Sequence, residues 1–341
     1  MAFANIVKVE KPDFYLKTAF TRANKVASLL RPKIKLKNVS TFDKSKKIEI
    51  EKISVVKEAL TESFNKLLKS FPMVDQLTPF YNDLVKYTIG TDDLRNALGA
   101  VNWAKKKISE ICSIYTVKIR KTEDSRKINN YRNECYGRIS SVAKQIKKYL
   151  ELLEEARKSM KDFPPIKSGL FTVAIVGFPN VGKTTLLRKL SKSKPEVAEY
   201  PFTSKGVNIG YLEYDGKKMQ LLDTPGTLNR FEKMNVIEMH AYLAMRHCAE
   251  LFVYVFDPTE QYPMELQQEL CRNVRKFDRP MICYVSKMDM NMDKEDADKI
   301  VKKYNAIVSI DELKKILIEK CKELHKEPEA KKEETEDDNL E

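Results

Sequence analysis

The sequence lacks any run of 18 apolar residues, which excludes a membrane-spanning helix of ordinary length. Its start, Met-Ala-Phe-Ala-Asn-Ile-Val-Lys, has no charged segment leading into a long apolar core, so no signal peptide is expected. The six cysteines, Cys112, Cys135, Cys248, Cys271, Cys283 and Cys321, are scattered in apolar surroundings, and no two have metal-ligand spacing. They read as buried thiols in a reducing, cytoplasmic setting rather than as a disulfide frame or zinc site. Histidine is scarce, at three residues, and His240 with His247 is too few for a metal centre. The single tryptophan, Trp103, is expected in the core rather than as a stacking platform. Strand signals are nearly missing before residue 165.

What that first half holds is charge and helical periodicity. Residues 1–165 carry 34 Lys+Arg against 19 Asp+Glu, a net +15. Residues 166–325 carry 25 against 22, and residues 326–341 carry 3 against 8. Helices are predicted over 12–30, ended by Pro32, and over 43–71, 80–87, 92–122 and 125–161. Together they make a basic bundle over residues 1–161. The stretch Asp162-Phe-Pro-Pro-Ile-Lys-Ser-Gly169 is the linker. Strands and helices then alternate over 170–325, which predicts a doubly wound, mostly parallel α/β sheet with one antiparallel strand from a hairpin at Asp215-Gly216. A short strand is expected at 306–308. The acidic tail, 326–341, reads as disordered.

The chemistry is organised around Gly177-Phe-Pro-Asn-Val-Gly-Lys-Thr184, which fits the phosphate-loop pattern between an apolar strand and a helix. Gly177, Phe178, Pro179, Asn180, Val181 and Gly182 form the loop. Lys183 is placed to reach the β- and γ-phosphates, Thr184 to hold Mg²⁺, and Thr185 to open the helix. A second strand ends in Asp223-Thr224-Pro225-Gly226. Asp223 suits the metal site, and the Gly226 amide suits the γ-phosphate. A third strand ends in Ser286-Lys287-Met288-Asp289, where a carboxylate accepts from guanine N1–H and the 2-amino group. Adenine offers neither donor, so Asp289 favours GTP over ATP.

These motifs resemble those of an Obg-group, translation-factor-class GTPase. They are closer still to the nucleolar GTP-binding protein 1 subfamily in a compact, archaeal-type form. Tyr200-Pro-Phe-Thr-Ser-Lys-Gly206 is similar to its first switch, Asn235-Val-Ile-Glu-Met-His240 to the stretch after its third motif, and Asp257-Pro-Thr-Glu-Gln261 to the end of its fourth strand. Upstream, Phe71-Pro-Met-Val-Asp75 and Ala97-Leu-Gly-Ala-Val-Asn102 resemble its helical domain. The resemblance implies a monomeric P-loop GTPase that uses Mg²⁺ and works with rRNA and the precursor of the large ribosomal subunit. The alternative is a GTP-binding RNA scaffold with negligible turnover.

The resemblance also sets expectations at single positions. Lys183, Asn180 and Gly226 are the catalytic set. Asn180 is either a K⁺ ligand or a turn residue. Thr203 or Ser204 joins Thr184 and Asp223 at the metal. The position after Gly226, where Ras relatives carry a water-orienting glutamine, is Thr227, so hydrolysis without a partner should be slow. Ser286 stands where asparagine is usual, and its shorter side chain is expected to lose the link between base loop and phosphate loop. Ser309-Ile310 is a weak match to the fifth motif. Arg31, Lys33, Lys35, Lys37, Lys44, Lys46 and Lys47 are the candidate RNA-binding residues; a merely solvated face is the other reading.

Overall fold

The computed structural model describes residues 3, 5–33, 40–191, 207–226, 235–259, 262–288 and 294–324. Thr203, Ser204, Thr227, Asp289, Lys35, Lys37 and the acidic tail lie outside that set, as does the side chain of Lys33. The chain divides into two compact units, Met1–Phe163 and Pro164–Glu341.

The first unit is helical. Its elements are α1 (Pro12–Lys33), α2 (Thr41–Ser70), a 3₁₀ turn (Val74–Gln76), α3 (Pro79–Thr88), α4 (Thr91–Lys121), α5 (Ser125–Gln145) and α6 (Lys147–Lys161). The long helices α2 and α4 pack together, with α1 against α2, α6 against α4 and α5 against both. Each buries one stripe. In α4 that stripe is Leu94, Ala97, Val101, Ala104, Ile108, Ile111, Tyr115 and Ile119. In α2 it includes Ile53, Val56, Leu60, Phe64 and Leu67. Burying each large apolar side chain contributes about 1.5–3 kcal/mol. Ser40 starts α2 by accepting the Asp43 amide at 3.0 Å, which satisfies an otherwise orphaned donor. One ionic cluster sits inside the bundle. Glu49 accepts from Lys52 Nζ at 2.6 Å and from Arg132 Nε of α5 at 2.9 Å.

Three expectations for this unit are corrected. Pro32 does not stop α1, which runs on through it to Lys33. In the last turn a proline forfeits one hydrogen bond and has few residues after it to displace. The region 125–161 is two helices, because Ile146 (φ −90°, ψ 8°) departs from helical geometry. Trp103 is 45 % exposed and outside the core. It stands two residues past Val101, roughly 200° around the helix, off the buried stripe.

The second unit carries β1 (Thr172–Val176), α7 (Lys183–Leu190), β2 (Asn208–Tyr214), β3 (Lys217–Asp223), α8 (Val236–His247), β4 (Leu251–Phe256), α9 (Met264–Arg275), β5 (Met281–Val285), α10 (Lys294–Tyr304) and α11 (Ile310–Leu324). The sheet order is β2-β3-β1-β4-β5. Among the described strands only β2 is antiparallel, paired to β3 by a hairpin in which Asp215 (φ 46°) and Gly216 (φ 73°) are both left-handed. That is the turn whose twist matches paired strands. Every residue of β1 and β4 is buried, as expected for central parallel strands. The expected strand at 306–308 reduces to one parallel bridge, Tyr284 to Ile307. The C-terminal ends of β1, β3, β4 and β5 share one edge of the sheet, which is where an open α/β sheet places its ligands.

Candidate nucleotide-binding site

The loop after β1 bends over the C-terminal edge of the sheet. A Cβ on Gly177 would stand 2.7 Å from the Val255 carbonyl oxygen, so only glycine fits beside β4. Gly182 (φ +94°) is the N-cap of α7, a left-handed position that glycine takes without strain. Asn180 (φ +61°) is exposed and left-handed as well. Phe178 is buried against Tyr262, with ring centroids 4.9 Å apart, and Val181 is fully buried. These contacts fix the loop from below and leave the amides at the start of α7 facing outward. The helix opens at Lys183 rather than at Thr185, which is exposed within its first turn.

Lys183 is buried, with Nζ donating to the carbonyls of Gly177 at 3.0 Å and Phe178 at 2.6 Å. Burial strips water from the ammonium and pushes its pKa down to about 8, a shift that the Asp223 carboxylate opposes. Thr184 Oγ1 donates to Asp223 Oδ2 at 2.5 Å, and Asn208 Nδ2 donates to the same oxygen at 3.0 Å. The other carboxylate oxygen, Asp223 Oδ1, is buried with no hydrogen-bond partner among the described residues. A hydroxyl beside a carboxylate with one oxygen unused is a hard-oxygen donor set, and it fits Mg²⁺ held partly by phosphate and water.

Thr224 Oγ1 donates to the Ile175 carbonyl at 2.9 Å and pins the β3 loop to β1. Gly226 lies directly on the phosphate loop: a Cβ there would overlap the Phe178–Pro179 peptide, 2.6 Å from the Phe178 carbonyl carbon. Pro225 connects the two.

The base-side loop departs from expectation. Ser286 does not lose the link to the phosphate loop. Its buried Oγ donates to the Val181 carbonyl at 2.7 Å, with the Phe256 carbonyl at 3.0 Å. The two loops approach closely enough, with Ser286 Cβ 3.6 Å from a Cβ built on Gly182, for serine to span the gap. Lys287 (φ +57°) turns back so that Nζ meets Asp257 Oδ2 at 2.5 Å, and Met288 is left 42 % exposed. Ser309 caps α11, its Oγ accepting from the Glu312 amide at 3.4 Å, and Ile310 opens that helix. Since Tyr284 pairs with Ile307, Ser286 and Ser309 follow neighbouring parallel segments by two residues each.

Sequence reading singles out neither Asn208 nor Gln267, and it places Asp257 only within the stretch similar to the family's fourth-strand end. Asp257 is 1 % exposed and accepts from Lys287 as well as from the amide and hydroxyl of Thr259. Gln267 bridges to the Asp257 backbone. The available signal for Asp257 was an acid directly following an all-apolar strand.

Comparison with known proteins follows these units. Residues 3–167 match the family model described as the NOG1 N-terminal helical domain, and residues 172–287 match that of a 50S ribosome-binding GTPase. An uncharacterized protein of Methanocaldococcus jannaschii is 32% identical over 292 residues, 84% of this chain and 81% of that protein. The nucleolar GTP-binding protein 1 of Encephalitozoon cuniculi is 35% identical over 252 residues, 72% of this chain and 48% of that protein. The chain belongs to the nucleolar GTP-binding protein 1 family. It spans about half, or less, of the length of the first relatives that carry that name.

Residues 172–287 match a GTPase family model, which supports GTP binding and hydrolysis by this P-loop domain. No helix among the described residues is long and apolar enough to cross a membrane. Of the candidate RNA-binding residues, Arg31 is exposed near the end of α1 and Lys47 on α2. Lys46 is committed locally: Nζ donates to the Arg120 carbonyl at 3.0 Å and lies 4.5 Å from the Phe42 ring centroid. Lys44 is half-buried.

Proposed function

We propose that this nucleolar GTP-binding protein 1 family member is a GTPase that acts in assembly of the large ribosomal subunit, with its basic helical unit docking on rRNA. The observation that carries the docking half is the charge division: +15 over residues 1–165, against 25 Lys+Arg and 22 Asp+Glu over 166–325. Such an excess on one domain suits a polyanion. Arg31, Lys33, Lys35, Lys37, Lys44 and Lys47 supply phosphate contacts, and Lys46 supports the α2–α4 junction as well.

In the GTPase unit, Thr184 and Asp223 hold Mg²⁺, which offsets charge on the phosphates. Thr203 or Ser204 completes that set. Lys183 moves its ammonium from the loop carbonyls to phosphate oxygens, and the Gly226 amide meets the γ-phosphate. Asp289 selects guanine from a loop anchored by Ser286 and Lys287. Ser309 and Ile310 border that loop. Thr227 is too short to orient the attacking water as a glutamine does, so turnover is slow until a partner completes the site. Asn180 would supply a side-chain oxygen to K⁺, which would offset phosphate charge. The test is phosphate release from GTP with and without precursor large-subunit particles. Stimulation by the particles is expected. Binding to the particles with no change in rate would favour the scaffold reading instead.

A further inference from the structure

Trp103, the chain's only tryptophan, borders a cleft of about 490 Å³ between α4 and α6. That volume lies in the range of small-molecule sites. Along α4 the cleft has Asn96, Gly99, Ala100 and Trp103; across from them α6 presents Lys148 and Tyr149. Glycine is unfavourable inside a helix, and α4 is 31 residues long. Nothing lies within 4 Å of a Cβ built on Gly99, so packing does not require it. With Ala100, it keeps the floor open beside the indole, which stands one turn further along the same face. The break at Ile146 starts α6 anew at Lys147, and Lys148 Nζ lies 4.8 Å from the Tyr149 ring centroid.

We propose that this cleft takes one unpaired base of an RNA strand, stacked on the Trp103 indole. The proposal rests on the reading that the helical unit meets RNA. The lining favours a base over a protein side chain or helix. Its apolar lining is two aromatic residues, Trp103 and Tyr149, a floor of Gly99 and Ala100 and a single large aliphatic side chain, Leu152, rather than a row of aliphatic pockets. The Asn96 amide offers both a donor and an acceptor to a base edge. Asp93 at the same end repels phosphate, so the strand's backbone lies toward Lys148. The net +15 of residues 1–165 supplies the long-range attraction. Stacking on an aromatic ring tolerates any base and requires that the base be unpaired.

A single tryptophan makes the test direct. The full chain is titrated with a purine-containing single-stranded RNA octamer, and with a duplex of equal length, while indole fluorescence is followed. Affinity is measured in parallel by anisotropy of labelled RNA. The expected result is saturable quenching by the single strand and little by the duplex. Trp103→Ala should weaken single-strand binding about 5- to 150-fold, the factor that stacking one base supplies, and Trp103→Phe should restore much of it. Gly99→Leu fills the floor, leaves the indole in place and improves helix propensity. It should abolish quenching and weaken binding without lowering the thermal midpoint followed by circular dichroism. If RNA binds with ordinary salt dependence and neither Trp103→Ala nor Gly99→Leu changes it, the cleft proposal fails while RNA docking stands. If the wild-type chain binds no RNA, both fail. Quenching by an acidic peptide but not by RNA would assign the cleft to a protein partner and overturn the proposal.

Discussion

Ser286 holds the Val181 carbonyl at 2.7 Å, and through that one hydroxyl the base-side loop is fastened to the phosphate loop. Ser286→Ala leaves a buried carbonyl without its donor, at a cost of about 1–2 kcal/mol. GTP affinity, read by titration with a fluorescent guanine nucleotide, should fall by at most the corresponding factor, roughly 5- to 30-fold, since part of the cost is already borne by the unliganded protein. Ser286→Asn should bring no gain, because the loops are already as close as a serine requires. A tighter-binding asparagine variant would mean that the serine link is incidental.

Nucleotide binding should depend on pH through Lys183. Its folded pKa of about 8 lies below the ordinary lysine value of 10.5. Phosphate favours the ammonium, so binding takes up a proton wherever the free protein has lost it. GTP affinity should be level below about pH 7 and fall above pH 8, by about tenfold at pH 9. In the unliganded protein the sign is opposite: the unfolded chain keeps its proton up to 10.5, so this group's contribution to stability rises between pH 8 and 10.5. Calorimetric titration in buffers of different ionisation enthalpy would detect the proton, and a pH-independent affinity would count against the buried ammonium.

Hydrolysis should be faster in K⁺ than in Na⁺ at equal ionic strength. The informative variant is Asn180→Gly, because glycine adopts φ +61° freely whereas alanine adds strain of about 1–2 kcal/mol. The glycine variant should bind GTP normally and lose the K⁺ advantage. Equal rates in the two salts for the wild type would return Asn180 to a turn role alone.

Glu49 neutralises two cations inside the helical unit. Glu49→Ala should destabilise that unit by about 3–5 kcal/mol, since it leaves Lys52 buried and unpaired. Lys52→Met should cost less, because Glu49 keeps Arg132. Urea melts followed by circular dichroism can rank the two, and equal effects would show that the ion pairs matter less than the packing.

RNA affinity should be salt-dependent. With about five phosphates neutralised, log K should fall with log salt at a slope of roughly −3.5 to −4.5. The combined change Lys33→Ala, Lys35→Ala, Lys37→Ala should make the slope shallower by up to about 3 units. A flat dependence in the wild type would remove the electrostatic basis of docking.

The parts legible in sequence were those with a strong local signal. Leu251–Phe256 and Met281–Val285 are apolar runs between breakers, and both are strands with those bounds. The phosphate loop was legible because its glycines are required, Gly177 by its approach to the Val255 carbonyl and Gly182 by its left-handed φ. Ile146 gave no warning, since neither glycine nor proline marks the break and the apolar spacing continues through it. Trp103 was misjudged on residue type, although the α4 stripe excludes it. Ser286 was misjudged because side-chain length was weighed without the distance to be spanned, which only the tertiary structure sets. Asp257 and Lys287 lie 30 residues apart, and nothing local pairs them.

The Gln267 side chain carries a consequence for dynamics. Its amide accepts from the Asp257 N–H at 2.9 Å and donates to the Asp257 carbonyl at 2.8 Å, as the peptide group of one more neighbouring strand would. The ladder of β4 is thereby continued past Phe256 by a residue of α9. Hydrogen–deuterium exchange at Asp257 should accordingly be as slow as in the strand interior, and opening of that amide should be coupled to detachment of α9 rather than to local fraying.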